Sequence, residues 1–564
     1  MKSFDRSWFD KNPISEIDWI CKDENGRNIS NFFPTVLKKI EIKSVNGTEY
    51  LVELELYFNG VEKSKVILPL REVEKIDWFT LDNRCLVNNY NEKKGRMYLA
   101  NLIRVGVATA PVEIRYKIKK TGIEKIGKTV VFIAGNQVIT KATEREVLQN
   151  IDVNEVPFRL DMDGNISPKD AFTGMQELIC LSPEIGRVLV AHVIAGIIRT
   201  AFREAGMIPC AVLVIVGKSG MLKSHYVPLL TQLYNRADGI RAVTRFNSSQ
   251  RFIEDILHEY SDCTAVIDDL NTAESRSIKR VNETTAEEII RRISDDIGRG
   301  HKEGKALVQD CFSGNVVFIG EYSIGKDSTI PRALIAKLTK QIDGKTLDKY
   351  QRQKPLLVST FYYYFIGWYV ENFDDICEEI NIRLTHFREK MANTNIHGRL
   401  CDTQFYLQTS YMFFLEFCRC LDFISREDAL DEYNDFSNQL VNLIQEQHMC
   451  AVREKSNLVK MDYLEMIRNL YQNKKIRLAD SEKTFNPDKH DGLIYYDCLC
   501  ITRKSLERLL IREFKSIRIG DVAKSLFDKE ALRVVGDERT VKISTLNKDV
   551  GAIRFYAIWL HKLH

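Results

Sequence analysis

The apolar run Ala211-Val-Leu-Val-Ile-Val216 leads directly into Gly217-Lys-Ser-Gly-Met-Leu-Lys-Ser224 and then a helix-forming stretch. A glycine-rich turn between a strand and a helix suits phosphate. Backbone N–H groups at the helix start surround its oxygens, a lysine reaches the β and γ phosphates, and the next hydroxyl holds Mg²⁺. Gly217, Lys218, Ser219, Gly220, Met221 and Leu222 would form the cradle for ATP, with Lys223 supplying the charge and Ser224 the hydroxyl. The pattern G-x-x-x-x-G-K-[ST] expects Gly where Leu222 stands, so this segment alone leaves an ordinary glycine-rich turn open.

A second apolar run, Thr264-Ala-Val-Ile-Asp268-Asp269, ends in two acids. Asp268 is the candidate Mg²⁺ ligand and Asp269 the candidate to polarise an attacking water, solvated acids closing a strand being the plainer alternative. A third run, Asn315-Val-Val-Phe-Ile-Gly-Glu321, puts Glu321 at a strand end as a candidate γ-phosphate sensor. Arg332 follows Pro331 in Ser328-Thr-Ile-Pro-Arg332. Its planar, permanently charged guanidinium suits neutralisation of charge in phosphoryl transfer on a neighbouring subunit, against the alternative of a surface arginine.

Carboxylates and a phosphate cradle at three strand ends require one sheet to align them. Apolar strands alternating with helices over residues 166–345 predict an α/β core with a parallel sheet. Helix is expected through Gln176–Cys180, Pro183–Ala205 with Ser182 as cap, from about Leu222, and up to about Gly300. Residues 1–165 read as β-rich: Val52, Leu54, Leu56 and Phe58 alternate with Glu53, Glu55 and Tyr57. Asn46-Gly47 and Asn59-Gly60 flank that run with hairpin chemistry, and further strands are expected at Val112–Ile118 and Thr129–Ile133. Residues 346–455, with Phe361–Phe365 and Tyr411–Phe417, read as a helical lid packing its own core. Residues 456–564 read as helix (Met461–Asn473), strand (Leu493–Ile501), helices (Lys504–Phe514 and Ile519–Leu526) and a strand pair (Ala531–Val535 and Val541–Leu546), the order of a winged helix.

With 564 residues, 44% hydrophobic and 28% charged, the chain has the balance of a multidomain globular protein. The 13 scattered cysteines, and no charged segment followed by an apolar one at the amino terminus, fit a reducing cytoplasm. Cys418/Cys420 and Cys498/Cys500 are spaced too closely for zinc pairs and read as core thiols. Val188–Ile198, interrupted by His192 and Gly196, is well short of the roughly 20 apolar residues of a membrane helix, so no membrane partner is expected. A net charge of +3 confines nucleic-acid contact to local patches. One candidate is the Arg299-His301-Lys302 loop, otherwise an ordinary solvated loop. The other is the cluster Arg503, Lys504, Arg508, Arg512, Lys515 and Arg518, with Arg503, Lys504 and Arg508 as the expected DNA contacts.

At the residues 217–224, Phe246-Asn-Ser-Ser249, Asp268-Asp269, Gly320-Glu321 and Arg332, the chain resembles the MCM-like branch of AAA+ helicases. Within that branch it is most similar to the self-loading replicative helicases of mobile elements such as the staphylococcal cassette chromosomes. The resemblance covers roughly residues 125–340, and a winged helix after the lid is shared. Leu222 is bulkier than the small residue usual there, and Asp269 stands where Glu is commoner. The resemblance implies an AAA+ P-loop ATPase core, a hexameric ring of identical subunits around DNA, and ATP-driven unwinding in replication of a mobile element or phage. The alternatives are a replication initiator or helicase loader, and a DNA-binding scaffold holding ATP as a structural ligand.

Overall fold

The computed structural model describes residues 29–563, apart from 45–46, 59–61, 88–91, 210, 237–242, 271–275, 297–298, 304–305, 311, 323–328, 393, 395, 461, 512–518, 536–537 and 545–551. The chain forms two compact units, Met1–Met449 and Cys450–His564.

In the first unit the alternating residues near the amino terminus form an antiparallel meander, β1 (Phe32–Ser44), β2 (Gly47–Phe58) and β3 (Glu62–Pro69). Val52, Leu54 and Leu56 face inward with no exposure, as their spacing of two requires. Asn46, Asn59 and Gly60, assigned to its turns, lie outside the described residues. The region is not all strand. After a short turn of helix, α1 (Trp78–Leu81), comes the 18-residue helix α2 (Glu92–Thr109), which buries Leu99, Ala100 and Ile103 against the sheet. It approaches so closely at Gly106 that any side chain there would meet Val36. Strand β4 (Val112–Lys117) pairs parallel with β1, and β5 (Gly122–Ile126), β6 (Thr129–Ala134) and β7 (Gln137–Thr140) form a separate meander. Two short strands follow, β8 (Ile151–Asp152) beside β4 and β9 (Phe158–Arg159).

Helix α3 (Pro168–Cys180) starts at Ser167, whose hydroxyl accepts the Asp170 N–H. The expected helix Pro183–Ala205 is two, α4 (Pro183–Ile197) and α5 (Arg199–Glu204), broken at Ile198; Ser182 precedes α4 without a side-chain cap bond. Then come β10 (Val212–Val216), α6 (Lys223–Thr231), β11 (Asn235–Arg236) beside β9, β12 (Val243–Arg245), α7 (Gln250–Glu259), β13 (Ser261–Leu270) and α8 (Arg276–Asp295). Helix was expected to about Gly300. It stops at Asp295, and a hairpin of β14 (Arg299–Glu303) and β15 (Ala306–Asp310) takes the place of the loop assigned to His301. Strands β16 (Ser313–Gly320) and β17 (Ala333–Lys337) complete a five-stranded sheet in the order β12-β13-β16-β10-β17, every pairing parallel. Their near-continuous apolar runs reflect burial on both faces.

Between residues 344 and 460 lie the helices α9 (Gly344–Asp348), α10 (Leu357–Glu371), α11 (Phe373–Met391), α12 (Gly398–Cys420) and α13 (Arg426–Lys460). The aromatic runs pack with one another, Phe361 and Phe365 standing 5.6 and 5.5 Å from Phe417 between ring centres, as expected of a helical core. Cys418 is buried, whereas Cys420 is exposed and is not a core thiol.

The second unit contains α14 (Tyr463–Gln472), β18 (Leu478–Ala479), β19 (Gly492–Tyr495), β20 (Cys498–Thr502), α15 (Arg503–Ile511), α16 (Ile519–Asp528), β21 (Val541–Ser544) and β22 (Ala552–Trp559). The single strand expected over Leu493–Ile501 is a hairpin turning at Tyr496, which holds a left-handed φ of 50°. Ala531–Val535 forms only isolated bridges, Leu532 with Ile558 and Val535 with Glu538, and β21 pairs with β22 instead, whose Phe555, Tyr556, Ala557 and Ile558 are all buried. Cys498 and Cys500 are buried free thiols on β20.

Among the described residues no helix is long and apolar enough to cross a membrane.

Candidate active site

Because all five strands of the central sheet run the same way, their carboxyl ends share one edge, where ligands of such sheets bind. β10 delivers Gly217 to that edge, β13 delivers Asp268 and Asp269, and β16 delivers Glu321. The turn after β10 is tightly held. Gly217 N–H donates to Gly320 O at 3.2 Å, and a side chain at 217 would crowd the Leu338 carbonyl. Gly220 has φ +81°.

Leu222, the residue that departs from the glycine pattern, adopts the conformation a glycine would take, with φ 65° at the start of α6. A left-handed residue costs a side-chain-bearing position about 1–2 kcal/mol, and such residues in turns bend successive N–H groups into anion-binding concavities. Lys223 is 7% exposed, and its ammonium donates to the carbonyls of Gly217 (2.7 Å) and Lys218 (2.8 Å). Burial pushes it below the usual lysine range, against the opposing fields of Glu321 and Asp268. Lys223 therefore lies in the field of both carboxylates while fastening the loop.

Ser224 and Asp268 line a common cavity of about 480 Å³, shared with His225, Arg245 and Thr264. Asp268 is buried, and its carboxylate accepts the Asp269 N–H at 2.7 Å. Asp269 has φ 73° and pairs with Arg245 at 3.2 Å. Arg245 ends β12, in register with Asp268. Sequence reasoning missed Arg245; its signal was position alone, a cation closing the strand next to the acidic one. Phe246-Asn-Ser-Ser249 has a structural explanation: the Phe246 ring packs edge-on to Phe318 at 4.9 Å, and the Ser249 hydroxyl caps α7. Glu321 N–H donates to Leu270 O at 2.9 Å, and Gly320 leaves no room for a side chain beside Leu270.

Arg332 lies on a 3-10 turn, Ile330–Arg332, and pairs with Asp295 at 3.3 Å. Asp295 also pairs with Arg399 at 2.7 Å. Behind the sheet lies a buried polar network the sequence did not reveal. Arg199 donates to Asn315 Oδ1 at 3.0 Å, Asn315 Nδ2 donates to His192 O at 2.9 Å, and the His192 ring meets Val316 O at 3.2 Å.

In the second unit Arg503 and Lys504 are exposed on the first turn of α15. Arg508 on the same helix is differently occupied: with Arg477 it pairs with Asp491, a carboxylate 2% exposed. Arg512, Lys515 and Arg518 lie outside the described residues.

A solved structure of the SCCmec type IV Cch, an active helicase, matches this chain with a TM-score of 0.50 at 13% identity, covering 94% of each chain. At that identity the likeness is one of fold. No family model matches the sequence, and no curated protein does.

Proposed function

We propose that the chain is an ATP-dependent DNA helicase or translocase of the MCM-like AAA+ type, working as a ring of identical subunits in the replication of a mobile element or phage. The observation that carries this reading is the meeting of Lys223, Asp268 and Glu321 at one edge of a parallel sheet. ATP would lie along residues 217–224, its phosphates on the backbone N–H groups and the Lys223 ammonium. Ser224 and buried Asp268, on one cavity, offer the hard oxygen donors that Mg²⁺ takes, and the ion would neutralise phosphate charge there. Asp269 orients water, Glu321 senses the γ-phosphate, and Arg332 is offered to the neighbouring subunit's pocket. The likeness in fold to a helicase along nearly the full chain supports the same reading. The second unit, with Arg503 and Lys504 exposed, would act as a winged helix holding DNA by its phosphates; Arg508 contributes less, being paired with Asp491.

One observation favours a second reading. Asp269 is paired with Arg245, which suits a protein that holds ATP and hydrolyses it slowly, as a loader or a scaffold would. Strand displacement of a forked duplex, with ATP and with a non-hydrolysable analogue, separates the readings. Unwinding with ATP alone is expected. DNA-stimulated hydrolysis without unwinding would select the loader, and no stimulated hydrolysis the scaffold.

A further inference from the structure

We propose that Gln447, on α13 of the helical region, is a positioning residue for Arg332, fixing where the guanidinium is presented to the neighbouring subunit. The inference rests on the reading of Arg332 as a residue acting in trans.

A glutamine amide has one acceptor oxygen and two donor hydrogens. Buried Gln447 uses all of them on the backbone around Arg332. Its Oε1 accepts the Ile335 N–H at 2.9 Å, and its Nε2 donates to Ile330 O at 2.8 Å and Ala333 O at 2.6 Å. These bonds bracket Arg332 on both sides, so the turn is fastened to α13 as well as to its own sheet. The side chain has a second tether to the helical region: Asp295 bridges Arg332 and Arg399, the latter on the first turn of α12. The same region reaches the phosphate loop, where Gln351 stands 3.5 Å from the ring of His225, the residue after Ser224. The helical region that touches a subunit's own pocket through Gln351 thus also holds, through Gln447 and Arg399, the arginine it offers to the next one.

The test uses full-length protein carrying Gln447→Leu, which fills similar space but makes none of the three bonds. Misplacement of a transition-state group by about 1 Å costs on the order of 10²-fold in rate. The expected result is a kcat for ATP hydrolysis lowered on that scale, with KM within about twofold of wild type, the signature of a lost transition-state interaction. Mixing with Lys223→Ala protein should restore hydrolysis, because those subunits present a correctly held Arg332 to the sound pocket of the variant. A general structural defect would not be repaired this way. A folded Gln447→Leu protein with wild-type kcat overturns the proposal, as does a loss that mixing fails to repair while the loss in Arg332→Ala is repaired. If Arg332→Ala itself is not repaired, the trans reading fails, and the role of Gln447 falls with it. Should Gln447→Leu not fold, Gln447→Glu keeps the acceptor toward Ile335, lacks both donors, and carries the same test.

Discussion

Two buried titratable groups in the first unit act on stability in opposite senses over one pH range. Asp262, at the start of β13, accepts hydrogen bonds on Oδ2 from Thr200 Oγ1 (2.6 Å) and Ile123 N (2.9 Å), tying β5 to the core. Burial nevertheless pushes its carboxyl up from 3.8 to about 6, and burial likewise pushes the His192 imidazole down from 6.5 to about 4. Each displacement is worth about 3 kcal/mol. For Asp262 the stabilisation is complete below 3.8 and is lost as pH rises to about 6, because the unfolded chain ionises first. For His192 it is complete above 6.5 and is lost as pH falls to about 4, because the unfolded chain takes up its proton first. In the wild type the two nearly cancel. Asp262→Asn keeps an oxygen for both hydrogen bonds and cannot ionise. Its stability relative to wild type should therefore rise by about 2 kcal/mol between pH 4 and pH 6. Denaturant unfolding followed by far-ultraviolet circular dichroism at several pH values measures this. His192→Gln should show the opposite slope relative to wild type. A difference between Asp262→Asn and wild type that does not change with pH would refute the burial argument.

Lys223→Ala should abolish ATP hydrolysis and weaken ATP binding while leaving the circular dichroism spectrum unchanged; normal turnover in the folded variant would remove Lys223 from the phosphate site. Asp269→Asn should bind a fluorescent ATP analogue normally yet turn ATP over on the order of 10²-fold more slowly, as loss of a positioned proton acceptor does, and normal steady-state hydrolysis would refute that role. Replacing Arg503 and Lys504 together with Ala should lower the slope of log affinity for duplex DNA against log salt by about 1.8, whereas Arg508→Ala should chiefly lower the melting temperature by leaving buried Asp491 with Arg477 as its remaining arginine partner; an unchanged slope in the double variant would exclude α15 from the DNA surface.

What the sequence determined was local. The apolar run into Gly217–Ser224, the run into Asp268-Asp269 and the run into Glu321 could be read because a buried parallel strand is a continuous apolar segment and its polar ends stand out. The alternation of Val52, Leu54 and Leu56 was legible because successive side chains of a strand point to opposite faces, and the aromatic runs around Phe361 and Phe417 announced a helical core. Tertiary structure decided what depends on partners distant in the chain. Nothing around Leu222 says that it takes a left-handed φ, since the closure of the turn imposes it. Arg245 becomes the partner of Asp269 only because β12 lies beside β13 in parallel register. Gln447 reaches Ile330, Ala333 and Ile335, and Arg399 reaches Asp295, across more than a hundred residues of chain. Asp262 and His192 look like any polar residues beside apolar neighbours until the fold removes water from both. Propensity and period act between neighbours in sequence, whereas ion pairs, desolvation and the register of a parallel sheet are set by which segments the fold brings together.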